Sequence, residues 1–341
     1  MSFIESIYEK ARHNRQRVAV PECCNELMMR SCVKASREGI AEIVFLGDTA
    51  EICRLAAERD IDLGDIRIVD TGDEAYKADL LARYDALPEK ILSIKSAGKR
   101  MSKPLYMALI MEVVGDVDIT FAGLDTTTYE YILAANGIIG MAKGCVTPSA
   151  LMLLELPDFD GPQGHILGMS DGAICVEPTA EQHASIAIAC CESFEAIVGR
   201  EAKCAFLSLS TDGSATGGSI ERIRQAVKLA QAQRPDLKID GEFQSDAAII
   251  QRVGKKKVKR PSEVAGEANV LIFPDAAAYN IGSKLVQLLA NCTTYGPIYQ
   301  GFRLPILDCS RSDTESRIFD NIALCSGLAA YQRRVAGGNE R

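Results

Sequence analysis

The sequence is poor in the residues on which metal and nucleophile chemistry usually rest. It has three histidines, His13, His165 and His183, and its 12 cysteines include no C-x-x-C pair. Zinc sites and disulfide frameworks need tighter spacing, so neither is expected. The cysteines read instead as small apolar residues in a reduced compartment. A nucleophilic cysteine beside His165 or His183 is a minor alternative, with Cys309 as the thiol to watch. No run of about 18 uninterrupted apolar residues offers a membrane span. The opening MSFIESIYEKARHNR is amphipathic and charged, unlike a signal peptide, and the expected location is the cytoplasm. Positive charge is also short: 38 Lys and Arg face 46 Asp and Glu, a net charge of -8. A nucleic-acid partner would need a local basic patch, and the one candidate, KKKVKR at Lys255–Arg260, reads as a solvated surface loop. No dinucleotide glycine fingerprint follows an early strand, which weighs against a dehydrogenase. Internal repeats and low-complexity linkers are missing as well.

What the chain does have is a balanced globular composition, 47% hydrophobic and 25% charged, over 341 residues. That length suits two lobes of common size. Short apolar runs such as RVAVPE, EIVFLG, IRIVD and DITFAG alternate with segments of helical period. Strands apolar throughout and separated by helices predict a parallel sheet covered on both faces. Near Thr147 the pattern changes: ALMLLEL, HILGMSD and AICVEP stand close together and predict neighbouring antiparallel strands. Alternation then resumes to the end. The expected architecture is α/β in two domains, the first formed by residues 1–146 and 298–341 and the second by 147–297.

In such sheets ligands bind beyond the carboxyl ends of the strands, so the loops there carry the candidates. LSLSTDGSATGGS leaves a strand with hydroxyls and glycines, making Ser210, Thr211, Gly213 and Ser214 candidates for phosphate, although no G-K-[ST] follows. In FPDAAAYNIGSKLVQLL, Asn280 is expected to cap a helix, with Gly282 at its start and Lys284 available to an anion. IDGEFQSDAAI groups Asp240, Glu242 and Asp246, either for acid/base work or for capping and surface roles. Near the end, DCSRSDTESRIF is a polar loop running into a helix. Its SDTE, Ser312–Glu315, matches a capping box.

The run LSLSTDGSA, IDGEFQSDAAI, VAGEANVLIFPDAAAYNIGSKLVQLL and GPIYQGFRLPILDCSR resembles the phosphate acyltransferase family, phosphotransacetylases that move an acyl group between coenzyme A and inorganic phosphate. EPTAEQHASIAIACCESFEAIVG looks most like the short branch associated with ethanolamine and propanediol use. The resemblance spans nearly the whole chain. It implies two α/β/α domains of the isocitrate/isopropylmalate-dehydrogenase-like type with an active-site cleft between them, and a homodimer. Acyl-CoA and phosphate are the implied substrates; no separate cofactor or metal is implied. Ser310 and Arg311 match the family's catalytic serine and arginine. The matching stretches also bring Thr128 and Gln300 into the binding set.

The departures from the family pattern are specific. The loop usually continues S-R-G-C-S-x-x-D, where the aspartate is the proposed base, and the matching residue here is Arg317, which cannot take a proton. Phosphate-facing arginines fall at Leu133 and Leu27, and Asp212 stands where many members have lysine. Asp313, Glu315 or Asp246 is left as a substitute base, and Arg317 as a substitute cation. Two functions follow: an acyltransferase, or a catalytically degenerate member that binds coenzyme A or acyl-CoA as a regulatory partner.

Overall fold

The computed structural model describes residues 2–159, 161–172 and 174–338, with side chains to residue 329. The chain forms two compact units, Met1–Ala142 with Phe302–Arg341, and Lys143–Gly301. In the first unit α1 (Phe3–His13) precedes β1 (Gln16–Val20), α2 (Glu26–Arg37), β2 (Ala41–Gly47), α3 (Thr49–Glu58) and β3 (Arg67–Asp70). Helices α4 (Glu74–Asp85), α5 (Ile94–Arg100) and α6 (Pro104–Val113) lead to β4 (Ile119–Ala122) and α7 (Thr128–Ile138). The second unit contains β5 (Ser149–Glu155), β6 (Ile166–Ser170), α8 (Ala180–Val198), β7 (Lys203–Leu207), α9 (Gly218–Gln233) and β8 (Lys238–Phe243). It continues with α10 (Ser245–Ile249), α11 (Gln251–Lys257), β9 (Val270–Ile272), α12 (Ala276–Leu289) and β10 (Thr293–Gln300). The chain then returns to the first unit as β11 (Ile306–Asp308) and α13 (Glu315–Gly338).

The first-unit strands run in the order β3-β2-β1-β4-β11, all parallel. Val18, Ala19 and Val20 of β1 and Ile119, Phe121 and Ala122 of β4 are all buried. This is the burial expected of strands covered on both faces. Helices begin where short polar side chains satisfy the first free N–H groups: Asn25 for α2, Asp48 for α3, Asp73 for α4 and Thr127 for α7.

In the second unit the order is β10-β5-β6-β9-β7-β8. The β10/β5 and β5/β6 pairs are antiparallel and the remainder parallel, so the pattern change near Thr147 does mark antiparallel strands. AICVEP is not the third of them. The described part of that segment is held as a turn, with Cys175 N–H donating to Asp171 Oδ2 (2.7 Å) and Val176 O accepting from Ala276 N–H (3.0 Å); Ala173 lies outside the described residues.

Two further expectations are corrected. Helix α12 is capped by Asp275, whose Oδ1 accepts from Ala278 N–H (2.8 Å), because Ala276–Ala278 are strong helix formers and join the helix. Asn280 therefore lies within the helix rather than at its cap. KKKVKR is no simple solvated loop: Lys255–Lys257 end α11, Lys257 pairs with Asp246 (2.8 Å), and Arg260 pairs with Asp240 (2.7 Å) and Asp212 (2.9 Å). Lys255, Lys256 and Lys259 are exposed, so the run lies at the surface with two of its cations paired.

Candidate active site

Register places the carboxyl ends of β1, β4 and β11 side by side, with Val18 opposite Ile119 and Asp308 opposite Ala122. Glu22 leaves the first of these strand ends, Gly123–Thr126 the second, and Cys309–Arg311 the third. The buried Glu22 carboxylate accepts from the N–H groups of Gly123 (2.9 Å), Leu124 (2.7 Å), Asp125 (3.1 Å) and Thr126 (2.8 Å). Gly123 has φ 128, and a Cβ there would lie 1.7 Å from Asp308 Oδ1 and 2.4 Å from Cys309 O. Only glycine allows these two strand ends to meet. Thr128, at the start of α7, donates its hydroxyl to Asp308 Oδ2 (3.3 Å).

On this base stands the Ser310 loop. Ser310 and Arg311 are exposed, and no ion pair engages Arg311 among the described residues. Ser310 N–H donates to Asp313 Oδ2 (2.8 Å), and its hydroxyl lies 2.9 Å from that of Ser312. Asp313 is buried and pairs with Arg317, one helical turn on (3.1 Å). The Asp313 carboxylate thus already has a cation and a backbone donor. The expected capping box does not form: Ser312 N–H donates to Ser310 Oγ (3.3 Å), and Thr314 Oγ1 accepts from Arg317 N–H (3.4 Å).

Cysteine chemistry is disfavoured here. Cys309 is buried, its thiol lies against Ala122 O (3.6 Å), and burial, followed by the charges of Asp308 and Glu22, pushes it far above the ordinary thiol range. His183 Nε2 lies 3.1 Å from Phe273 O, and burial pulls its imidazole down to about 4. His165 Nδ1 lies 2.7 Å from Phe159 O. No described contact joins either ring to a thiol.

In the second unit the loop after β7 is organised by Glu242 of β8. Its Oε1 accepts from the Ser210 hydroxyl (2.7 Å) and Gly213 N–H (3.0 Å), and Arg224 of α9 binds both carboxylate oxygens (2.9 and 3.0 Å). Burial opposes the charge, yet Arg224, Ser210 and the Gly213 N–H overcome it and hold the Glu242 carboxyl down at about 2. Thr211 is buried, with Oγ1 accepting from Gln244 N–H (2.8 Å), while Ser214 Oγ accepts from Thr211 N–H (2.9 Å). The predicted phosphate cradle therefore closes on an internal carboxylate. Ser210 and Gly213 bond that carboxylate, Thr211 is tied to Gln244 and Ser214 instead, and Gly213 and Ser214 are exposed.

The other candidates are spread out. Asn280 and Lys284 are exposed along α12, whereas Gly282 makes room for Phe273, whose ring would lie 2.9 Å from an added Cβ. Gln300 is buried and donates to Ser149 Oγ (2.9 Å) and Cys190 Sγ (2.8 Å), an interior role. Asp240, Glu242 and Asp246 each face a different cation, Arg260, Arg224 and Lys257, rather than one another. Leu133 is exposed and Leu27 half-buried, so neither serves as a core residue. Reading the sequence gave no role to Glu22, Asp308 or Arg224. The only signal for the first two was a carboxylate beside a strand end.

A parallel α/β unit that presents a serine and an arginine just beyond its strand ends places them where such folds bind ligands. Residues 2–326 match the family described as Phosphate acetyl/butaryl transferase, and the chain belongs to that family. It is 36% identical over 326 residues to the phosphate acetyltransferase of Clostridium acetobutylicum, covering 95% of this chain and 97% of the relative. The EutD phosphotransacetylase from Staphylococcus aureus superposes with a TM-score of 0.86 at 26% identity over 96% of this chain and 98% of that one. A phosphotransacetylase from Streptococcus pyogenes gives 0.85 at 27% identity over 96% and 99%. No described helix is long and apolar enough to cross a membrane.

Proposed function

We propose that this protein transfers an acyl group between coenzyme A and inorganic phosphate. The observation that carries the reading is the exposed Ser310-Arg311 pair, held at the end of β11 by the buried Asp313, with the Ser310 hydroxyl bonded, among the described residues, only to the exposed Ser312. Membership of the family and the names of its relatives supply the substrate class. In this reading the phosphate dianion attacks the thioester carbonyl, with Arg311 holding phosphate and the Ser310 hydroxyl donating to the developing oxyanion. The C–S bond breaks, and the proton carried by phosphate ends on the coenzyme A sulfur, giving acyl phosphate and free thiol. The nucleophile is already ionised in this direction. By microscopic reversibility the same proton path, run backwards, deprotonates the thiol, so in both directions it does without an aspartate at position 317.

A second reading is favoured by one contact. Arg317 occupies Asp313, and with leucine at 27 and 133 this fits a member that binds coenzyme A without turning it over. Purified protein incubated with acetyl-, propionyl- and longer acyl-CoAs plus phosphate separates the two. Thiol release with at least one chain, and none when phosphate is omitted, is the expected result. Absence of release with every chain, alongside calorimetric binding of coenzyme A, would establish the second reading instead.

The working form is proposed to be a homodimer in the cytoplasm. Ile281, Leu285, Leu288 and Leu289 are exposed at helical spacing along α12, an apolar stripe suited to a second copy. The unpaired cysteines, several of them exposed or half-buried, suit a reducing compartment. Leu288→Glu should convert a dimer to a monomer in light scattering coupled to size exclusion. A wild-type monomer, or a variant that stays dimeric, would contradict this.

A further inference from the structure

Glu22 is buried directly after β1 and receives four consecutive backbone N–H groups: Oε2 accepts from Gly123, Leu124 and Asp125, and Oε1 from Thr126. A run of N–H groups turned onto one anion is the geometry of a phosphate nest, here filled by the chain's own carboxylate. The loop it gathers is pressed against β11 at Gly123 and linked to Asp308 by Thr128. Cys309 N–H in turn donates to Ala122 O (3.1 Å) and to Asp308 Oδ1 (2.8 Å), and Ser310 is the next residue. An unbroken set of contacts thus runs from Glu22 to the proposed catalytic pair.

We infer that Glu22 is a positioning residue for acyl transfer: by fixing Gly123–Thr126 it sets where Asp308 and Cys309 lie, and so where Ser310 and Arg311 are presented. The inference rests on the acyl-transfer reading above. Glutamine cannot take over, because its amide offers one accepting oxygen and two donors. In either orientation its NH2 group faces at least one backbone N–H, so the loop must give way. Aspartate keeps the charge and both acceptors on a shorter stem.

The test pairs two readouts on the full-length protein. In Glu22→Gln, amide hydrogen exchange at Gly123–Thr126 and at Cys309–Ser310 should quicken about tenfold or more, the scale of losing charge-assisted bonds, while exchange in β7 stays as in wild type. The kcat should fall about a hundredfold, as expected for a small displacement of reacting groups, with KM for acyl-CoA unchanged. Glu22→Asp should recover part of kcat, and it carries the comparison if the glutamine variant fails to fold. Unchanged exchange at Cys309–Ser310 overturns the inference. So does quickened exchange with wild-type kcat, which would make Glu22 a structural plug only. Wild-type protein without acyl transfer would instead sink the functional reading, and the exchange readout would still decide whether Glu22 sets the Ser310 loop.

Discussion

Ser310→Ala and Arg311→Ala should each lower turnover of acyl transfer by about 10²–10³-fold while leaving the fold intact. Both halves of this expectation come from where the loop is anchored. Its backbone is held by Asp313, which accepts from Ser310 N–H, and by Asp308, which accepts from Cys309 N–H. Neither anchor is lost in these variants. Arg311 is exposed and enters no ion pair among the described residues, so alanine there should change stability by no more than about 0.5 kcal/mol. Alanine at 310 removes only the contacts with Ser312. Loss of activity without loss of stability, measured by thiol release and thermal unfolding on the same samples, marks a working site. Wild-type turnover in both variants would mean that the loop is a remnant.

Arg224→Ala should have the opposite profile, a large loss of stability. Glu242 is buried, and Arg224 supplies its counter-charge through two bonds at 2.9 and 3.0 Å. Removing Arg224 leaves the buried carboxylate with only the Ser210 hydroxyl and the Gly213 N–H, so the variant should unfold at clearly lower denaturant than wild type. The same carboxylate makes stability depend on acid. Its folded value of about 2 lies below the ordinary 4.5, so between these values the unfolded chain binds the proton more tightly. The stability it contributes is present above about pH 4.5 and is lost as pH falls through about 2. Denaturant unfolding of wild type should weaken across that window. Glu242→Gln should be less stable at neutral pH and lack this part of the acid dependence. Matching acid profiles for wild type and Glu242→Gln would show that the loop after β7 does not depend on the charge.

Much of the fold was legible because it is local. β1 and β4 carry the short apolar runs Val18–Val20 and Phe121–Ala122, and the helices between them begin at short polar caps that the sequence displays directly. Ser310 and Arg311 were singled out through the family resemblance, in a polar loop running into a helix, and β11, the short strand that delivers them, was not read. The errors have physical causes. AICVEP has strand composition, but the Asp171 carboxylate takes Cys175 N–H into a turn. Asn280 is a good cap, but three alanines upstream extend α12 back to Asp275. In the glycine and hydroxyl loop after β7, read as a seat for phosphate, Ser210 and Gly213 also bond an anion of the protein itself. That anion is Glu242, some 30 residues away, paired with an arginine on a different helix. Glu22 was missed for the same reason, since its partners lie about 100 positions along the chain. Pairing across such distances has no local pattern to detect.

The most direct test of the functional account identifies the product. Acetyl-CoA and orthophosphate are incubated with wild-type protein, and phosphorus NMR follows the phosphate while free thiol is measured in parallel. The account predicts a new acyl phosphate signal that grows in equal amount with free coenzyme A. Thiol release without acyl phosphate, or neither product with acetyl-CoA and with longer acyl chains, would contradict it.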